Sequence, residues 1–175
     1  MHDQHRPTHW TTQRAMSKPV LYDELARDLD ALLTGETDCL ANAANAAAAI
    51  YHTLPDLNWA GFYFVRGDEL VLGPFQGRPA CSRISLGKGV CGTAAAQRRS
   101  VLVPDVEAFP GHIACDTASR SELVVPLLTA DEVFAVLDLD SPIVGRFDAQ
   151  DQAGCEALAA ITARHVREAV SARTC

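Results

Sequence analysis

The sequence predicts an α+β domain in which an antiparallel sheet of about six strands is flanked by helices. Three observations carry that expectation. Helical apolar stripes open the chain, strand-like runs separated by turn signals fill its middle, and one amphipathic stretch closes it. At 175 residues the chain suits one core rather than two. Hydrophobic residues make up 48% and charged residues 21%, too apolar a balance for a disordered chain.

The elements follow in order. Residues 1–18 are polar and lack the roughly 7–15-residue apolar run of a secretory signal, so they read as a flexible extension before a single domain over 19–175. His2, His5 and His9 lie in this tail without a cysteine or carboxylate cluster, and no metal site is expected there. From Leu21, apolar residues at 21, 25, 29, 32 and 33 form a helical stripe that Gly35 ends. A second helix begins near Asp38, with Leu40, Ala43, Ala47, Ile50 and Leu54 on one side and Pro55 just past its end. NWAGFYFVR and ELVLGPF, joined at Gly67-Asp68, read as a hairpin. After a glycine-rich loop, GVCGTAAAQRR reads as a short helix and SVLVPD as a strand. VEAFPGHIACDTASRS is a long irregular stretch broken at Pro110-Gly111, and loops of that length in compact domains are commonly functional. ELVVPLL and EVFAVLDLD read as paired strands. A last helix from about Asp148 carries Leu158, Ile161, His165 and Ala169.

Composition excludes several function classes. The formal charge is −7, from 15 basic and 22 acidic residues, which argues against a generic nucleic-acid binder. No apolar run approaches the ~20 residues of a membrane span. Without an export signal the expected compartment is the cytoplasm, where thiols stay reduced unless they bind metal or do redox chemistry. Six cysteines, at 39, 81, 91, 115, 155 and 175, therefore need an account.

Cys39 and Cys155 fall in helical segments and read as packing, and Cys175 sits in a terminal tail. Cys81, Cys91 and Cys115 lie in or beside loops, with no C-x-x-C spacing, so neither a zinc ribbon nor a thioredoxin-type dithiol is indicated. Cys91 starts a predicted helix beside Lys88, a setting that favours thiolate. Cys115 lies close to His112 and Asp116. A nucleophilic cysteine that becomes a sulfenic acid needs a second thiol to condense with.

Alternation along the strands adds the remaining candidates. Trp59, Gly61 and Tyr63 share one face of the first long strand, which reads either as aromatic packing under a helix or as a wall for a small ligand. Asp138 and Asp140 share one face of a strand whose other face carries Leu137 and Leu139. Two carboxylates side by side in a strand repel each other, so a site for a cationic amine or a metal explains them better than a solvated strand end does. Glu122 opens the neighbouring apolar run and is a third acid for that face.

NWAGFYF, GPFQGRPACSRI, GKGVCGTAA, VPDVEAFPGHIACDTASRSELVVPL and VLDLDSP together resemble the free methionine-(R)-sulfoxide reductases, single-domain enzymes of the GAF fold. The likeness runs from about Leu21 to the final helix. It implies reduction of the R epimer of free L-methionine sulfoxide, with no bound metal or cofactor and with thioredoxin or a similar dithiol as reductant. By motif, Cys115 matches the nucleophile, Cys91 the resolving thiol and Cys81 an auxiliary thiol. Which of Cys91 and Cys81 does most of the resolving stays open. Glu122 matches a catalytic acid, while Trp59, Tyr63, Asp138 and Asp140 match the substrate-binding set. A homodimer is implied by the same resemblance. The rival readings are a GAF module that binds an effector without chemistry and a thiol-based redox sensor.

Overall fold

In the computed structural model the fold is described for residues 16–113, 115–130 and 132–170; His2, His5, His9 and Cys175 lie outside that range, as does the side chain of Ala169. Four helices and six strands run in the order α1 (Lys18–Leu33), α2 (Cys39–Thr53), β1 (Trp59–Arg66), β2 (Glu69–Gly77), β3 (Arg83–Ser85), α3 (Gly89–Gln97), β4 (Val101–Val103), β5 (Ser121–Leu128), β6 (Val133–Ser141) and α4 (Ala149–Val170). The strands form one sheet in the order β3-β2-β1-β6-β5-β4, and every neighbouring pair is antiparallel. Among the described residues no helix is long and apolar enough to cross a membrane.

Side chains alternate across the sheet, so each long strand serves two cores. Ala60, Phe62 and Phe64 of β1, Leu123, Val125 and Leu127 of β5, and Ala135, Leu137 and Leu139 of β6 face a large core closed by α1, α2 and α4. Trp59, Tyr63, Val124 and Val136 face a second, smaller core closed by α3. The parity expected for residues 59–64 and 137–140 is the parity observed.

Helix boundaries follow local chemistry. Asp38 caps α2 by accepting from the Ala41 N–H at 2.8 Å, and Pro19 sits in the first turn of α1. Two expected core residues are not buried, since Leu32 and Leu40 are 50% and 61% exposed. On α2 the buried face centres on Cys39, Asn42, Ala43, Ala46, Ala47 and Ile50, because the alanines allow the close approach that a leucine would block. The short strand β3 and a 3₁₀ turn over Val106–Ala108 escape a periodicity reading, being only three residues each. Cys155 is a buried free thiol, as expected, whereas Cys39 is buried but is not a free thiol.

One polar cluster ties the N-terminal helix to α4. Buried Asp151 accepts from Tyr22 Oη at 2.9 Å, Lys18 Nζ at 2.5 Å, Arg146 at 3.0 Å and the Asp148 N–H at 2.9 Å. Gly154 allows this packing, because a Cβ there would lie 2.2 Å from the Tyr22 ring. Asp151→Ala leaves buried cationic and hydroxyl donors unpaired and is expected to destabilise the fold by about 3 kcal/mol. Urea unfolding checks this; a loss below about 0.5 kcal/mol would show that solvent already serves those donors.

Candidate active site

Strand pairing assembles the site on the α3 face. Trp59 on β1 pairs with Asp140 on β6, which in turn pairs with Glu122 on β5. One row across three strands thus presents an aromatic and two acids. The next row pairs Gly61 with Asp138 and Asp138 with Val124. Gly61 has a steric reason: a Cβ there would come within 2.4 Å of Phe75 and 2.7 Å of the Trp59 ring. Its absence lets Trp59 stack on Phe75 at 5.3 Å between ring centroids and on Tyr63 at 5.9 Å.

The aromatics also anchor the loop after β2. The Trp59 indole N–H donates to the Arg78 carbonyl at 3.2 Å, and the Tyr63 hydroxyl donates to the Cys81 carbonyl at 3.0 Å. Cys81 is joined to Cys115 by a disulfide spanning 34 residues of sequence, with Cα atoms 5.3 Å apart. That bond links the loop following β2 to the long loop that precedes β5. The segment beside Cys115 is further held by Asn58, whose side-chain amide donates to Asp116 Oδ2 at 3.1 Å and to Ser119 Oγ at 3.0 Å. Asp116 is legible in the sequence only as a neighbour of Cys115, and Asn58 and Ser119 carry no signal there, since a polar residue before a strand has no chemical signature of its own.

Two small adjoining cavities, about 30 and 20 Å³, collect the candidates. Cys91, Cys115, Glu122, Asp138, Asp140 and Tyr63 line the first; Trp59, Tyr63, Cys115, Asp138 and Asp140 line the second. Cys81 joins the set through its bond to Cys115. A much larger groove of about 580 Å³ lies between α4 and the outer end of β5, but it gathers no thiol and no acid cluster, so the chemistry belongs to the smaller cavities.

The electrostatics are those of a buried acid cluster. Glu122 and Asp138 are each 7% exposed. Burial, then the charge of Asp140, pushes the Glu122 carboxyl well above the usual range. Burial and the neighbouring acids act the same way on Asp138 and Asp140. Asp138 Oδ1 is buried without a hydrogen-bond partner among the described residues, so the site offers an acceptor that a bound cation could use. Cys91 Sγ lies 3.9 Å from Glu122 Oε1, and His112 Nε2 lies 3.5 Å from Glu122 Oε2. Burial lowers the His112 pKa, keeping the ring neutral near pH 7. Cys91, Glu122 and Asp138 offer ligand atoms within 4.8 Å of one another, the set that could hold a metal ion among the described residues.

The thiolate expected at Cys91 is overturned. Its helix position and Lys88 are as read, with Lys88 at the N-cap of α3. Yet the thiol is buried, and desolvation together with Asp138 and Glu122 pushes its pKa well up. Loss of water, reinforced by the two neighbouring acids, outweighs a helix end worth roughly 0.3–1 kcal/mol.

Known proteins are similar to this chain in sequence and fold. The sequence matches the GAF domain family over residues 34–167. It is 51% identical over 145 residues to the free methionine-R-sulfoxide reductase of Escherichia coli K12, covering 83% of this chain and 88% of that protein. Identity to the yeast (Saccharomyces cerevisiae) free methionine-R-sulfoxide reductase is 39%, over 89% of this chain and 91% of that protein. The fold superposes with a TM-score of 0.87 on the Neisseria meningitidis free methionine-R-sulfoxide reductase solved in complex with its substrate, at 42% identity and covering 94% and 99% of the two chains. With identities of 39–51% and a TM-score of 0.87 over most of both chains, the chain belongs to the free methionine-R-sulfoxide reductases, oxidoreductases built on a GAF domain.

Proposed function

We propose that the protein reduces free L-methionine (R)-S-oxide to L-methionine with Cys115 as nucleophile. The observation that carries this reading is the position of Cys115 on the same cavities as Glu122, Asp138 and Asp140, beneath Trp59 and Tyr63. In the reduced enzyme the Cys115 thiolate attacks the sulfoxide sulfur while the protonated Glu122 carboxyl gives its proton to the sulfoxide oxygen. Oxygen passes to Cys115 as a sulfenic acid; the substrate sulfur gains two electrons and methionine leaves. A second thiol then condenses with the sulfenic acid, releasing water and forming a disulfide.

The disulfide between Cys81 and Cys115 supports Cys81 as that second thiol. Thioredoxin or a similar dithiol resets the pair. A cavity of about 30 Å³ holds roughly one water, so substrate enters only after reduction lets the two loops part. Asp138 and Asp140 take the substrate ammonium, a group that a methionine residue within a protein lacks. A site with acids built for that charge rejects a ligand without it, because the carboxylates would be left unpaired. Trp59 packs against the S-methyl group and so selects the epimer.

The test is turnover. Racemic free methionine sulfoxide and dithiothreitol are incubated with the protein and methionine is followed by chiral chromatography. Half of the sulfoxide, the R epimer, is expected to disappear, and a methionine sulfoxide residue within a peptide is expected to remain. Disulfide formation with peroxide but no methionine would favour a redox sensor instead.

A further inference from the structure

We propose that His112 is the proton relay that recharges Glu122 after each turnover, an inference that rests on the reductase reading above. The requirement comes from proton balance. Thiolate plus sulfoxide plus one proton yields sulfenic acid plus methionine, so a donor at Glu122 is left as a carboxylate inside an acid cluster. It must recover a proton before the next substrate, and at 7% exposure it meets little bulk water.

Among the described residues three side chains, Cys91, Asp138 and His112, meet the Glu122 carboxyl. Cys91 and Asp138 are 3% and 7% exposed and lead only deeper into the acid cluster. The His112 side chain retains 16% exposure and places Nε2 at 3.5 Å from Glu122 Oε2. It therefore touches both the donor and the outside. Asp140, Tyr63, Asp116 and Ser119 also line this cavity, and among the described residues none of these four has a hydrogen bond or ion pair to Glu122. Imidazole suits the task, since one ring nitrogen can pass a proton to Glu122 Oε2 while the other takes one from water. A neutral ring also does this better than a fixed cation, which would hold Glu122 ionised and stop it acting as an acid. Apo distances of this kind shorten in the working complex.

The experiment separates the first turnover from later ones. Reduced enzyme starts with Glu122 protonated, so the first methionine needs no relay; every later one does. Reductant is raised until the steady-state rate no longer depends on it. For His112→Gln, the single-turnover rate is expected within about twofold of wild type while kcat falls about tenfold or more and KM holds. For His112→Ala, added imidazole is expected to restore kcat. An equal fall in both rates, no fall in either, or no rescue of His112→Ala overturns the relay. The normal first turnover also certifies that the variant is folded. A wild-type protein inert toward the R epimer overturns the reductase reading itself, whereas an active wild type with unchanged His112→Gln overturns only the relay.

Discussion

Cys115→Ser is expected to abolish methionine formation from the free sulfoxide, because the hydroxyl is a far weaker nucleophile and has no sulfenic acid state. The informative comparison is with the other two thiols. Cys81→Ser is expected to complete one turnover and stall, leaving a sulfenic acid at Cys115 that a dimedone-type probe labels. Cys91→Ser is expected to keep the Cys81–Cys115 disulfide and most of its activity. The physical basis is the state of each sulfur: Cys81 is already bonded to Cys115, while Cys91 is buried with its proton held in place by Glu122 and Asp138. Mass spectrometry of probe-treated protein after one equivalent of substrate reads all three outcomes. A trapped sulfenic acid in Cys91→Ser but not in Cys81→Ser would reassign the resolving role to Cys91.

Glu122→Gln is expected to lower kcat by roughly 10²–10⁴ while making the ligand-free protein more stable. The amide keeps the shape but carries no transferable acid proton, hence the first effect. The second follows from the raised carboxyl pKa. Below the unfolded value of about 4.3 the group is protonated in both states and adds no penalty. As pH rises above that value the unfolded chain releases the proton while the folded protein retains it, so wild-type stability falls until pH passes the folded pKa. Glutamine does not titrate. The gain in stability for the variant should therefore be small at pH 4 and grow toward neutrality, on the order of 1–3 kcal/mol once the carboxyl cost is fully expressed. Thermal melts from pH 4 to 8 check this. A gain that does not change with pH would remove the buried-acid account, and unimpaired turnover would remove Glu122 as the proton donor.

Much of the candidate site is written in strand periodicity. Asp138 and Asp140 alternate with Leu137 and Leu139, and Trp59 and Tyr63 alternate with Ala60, Phe62 and Phe64, so side-chain parity alone assigns acids and aromatics to one face and the leucines and phenylalanines to the other. Parity does not say which strands are neighbours. That Glu122, Asp140 and Trp59 lie in one row depends on β6 running between β1 and β5, a long-range pairing no local pattern contains. Leu40 shows the same limit in a helix: apolar spacing fits it to the stripe, but the partner surface takes the alanine face and leaves it exposed.

The sequence by itself determined the antiparallel α+β architecture and the shared face of the acids and aromatics. Each of these depends on residues within a few positions of one another, where backbone geometry dictates the outcome. Only the tertiary structure decided that Cys115 bonds to Cys81, that Asn58 holds the segment beside Cys115, and that His112 reaches Glu122. It also decided the state of Cys91. A local reading of helix end and lysine favours thiolate, yet carboxyls brought in from β5 and β6 and the loss of water reverse the sign. Charge interactions grow as solvent is excluded, and the exclusion of solvent is a property of the assembled fold.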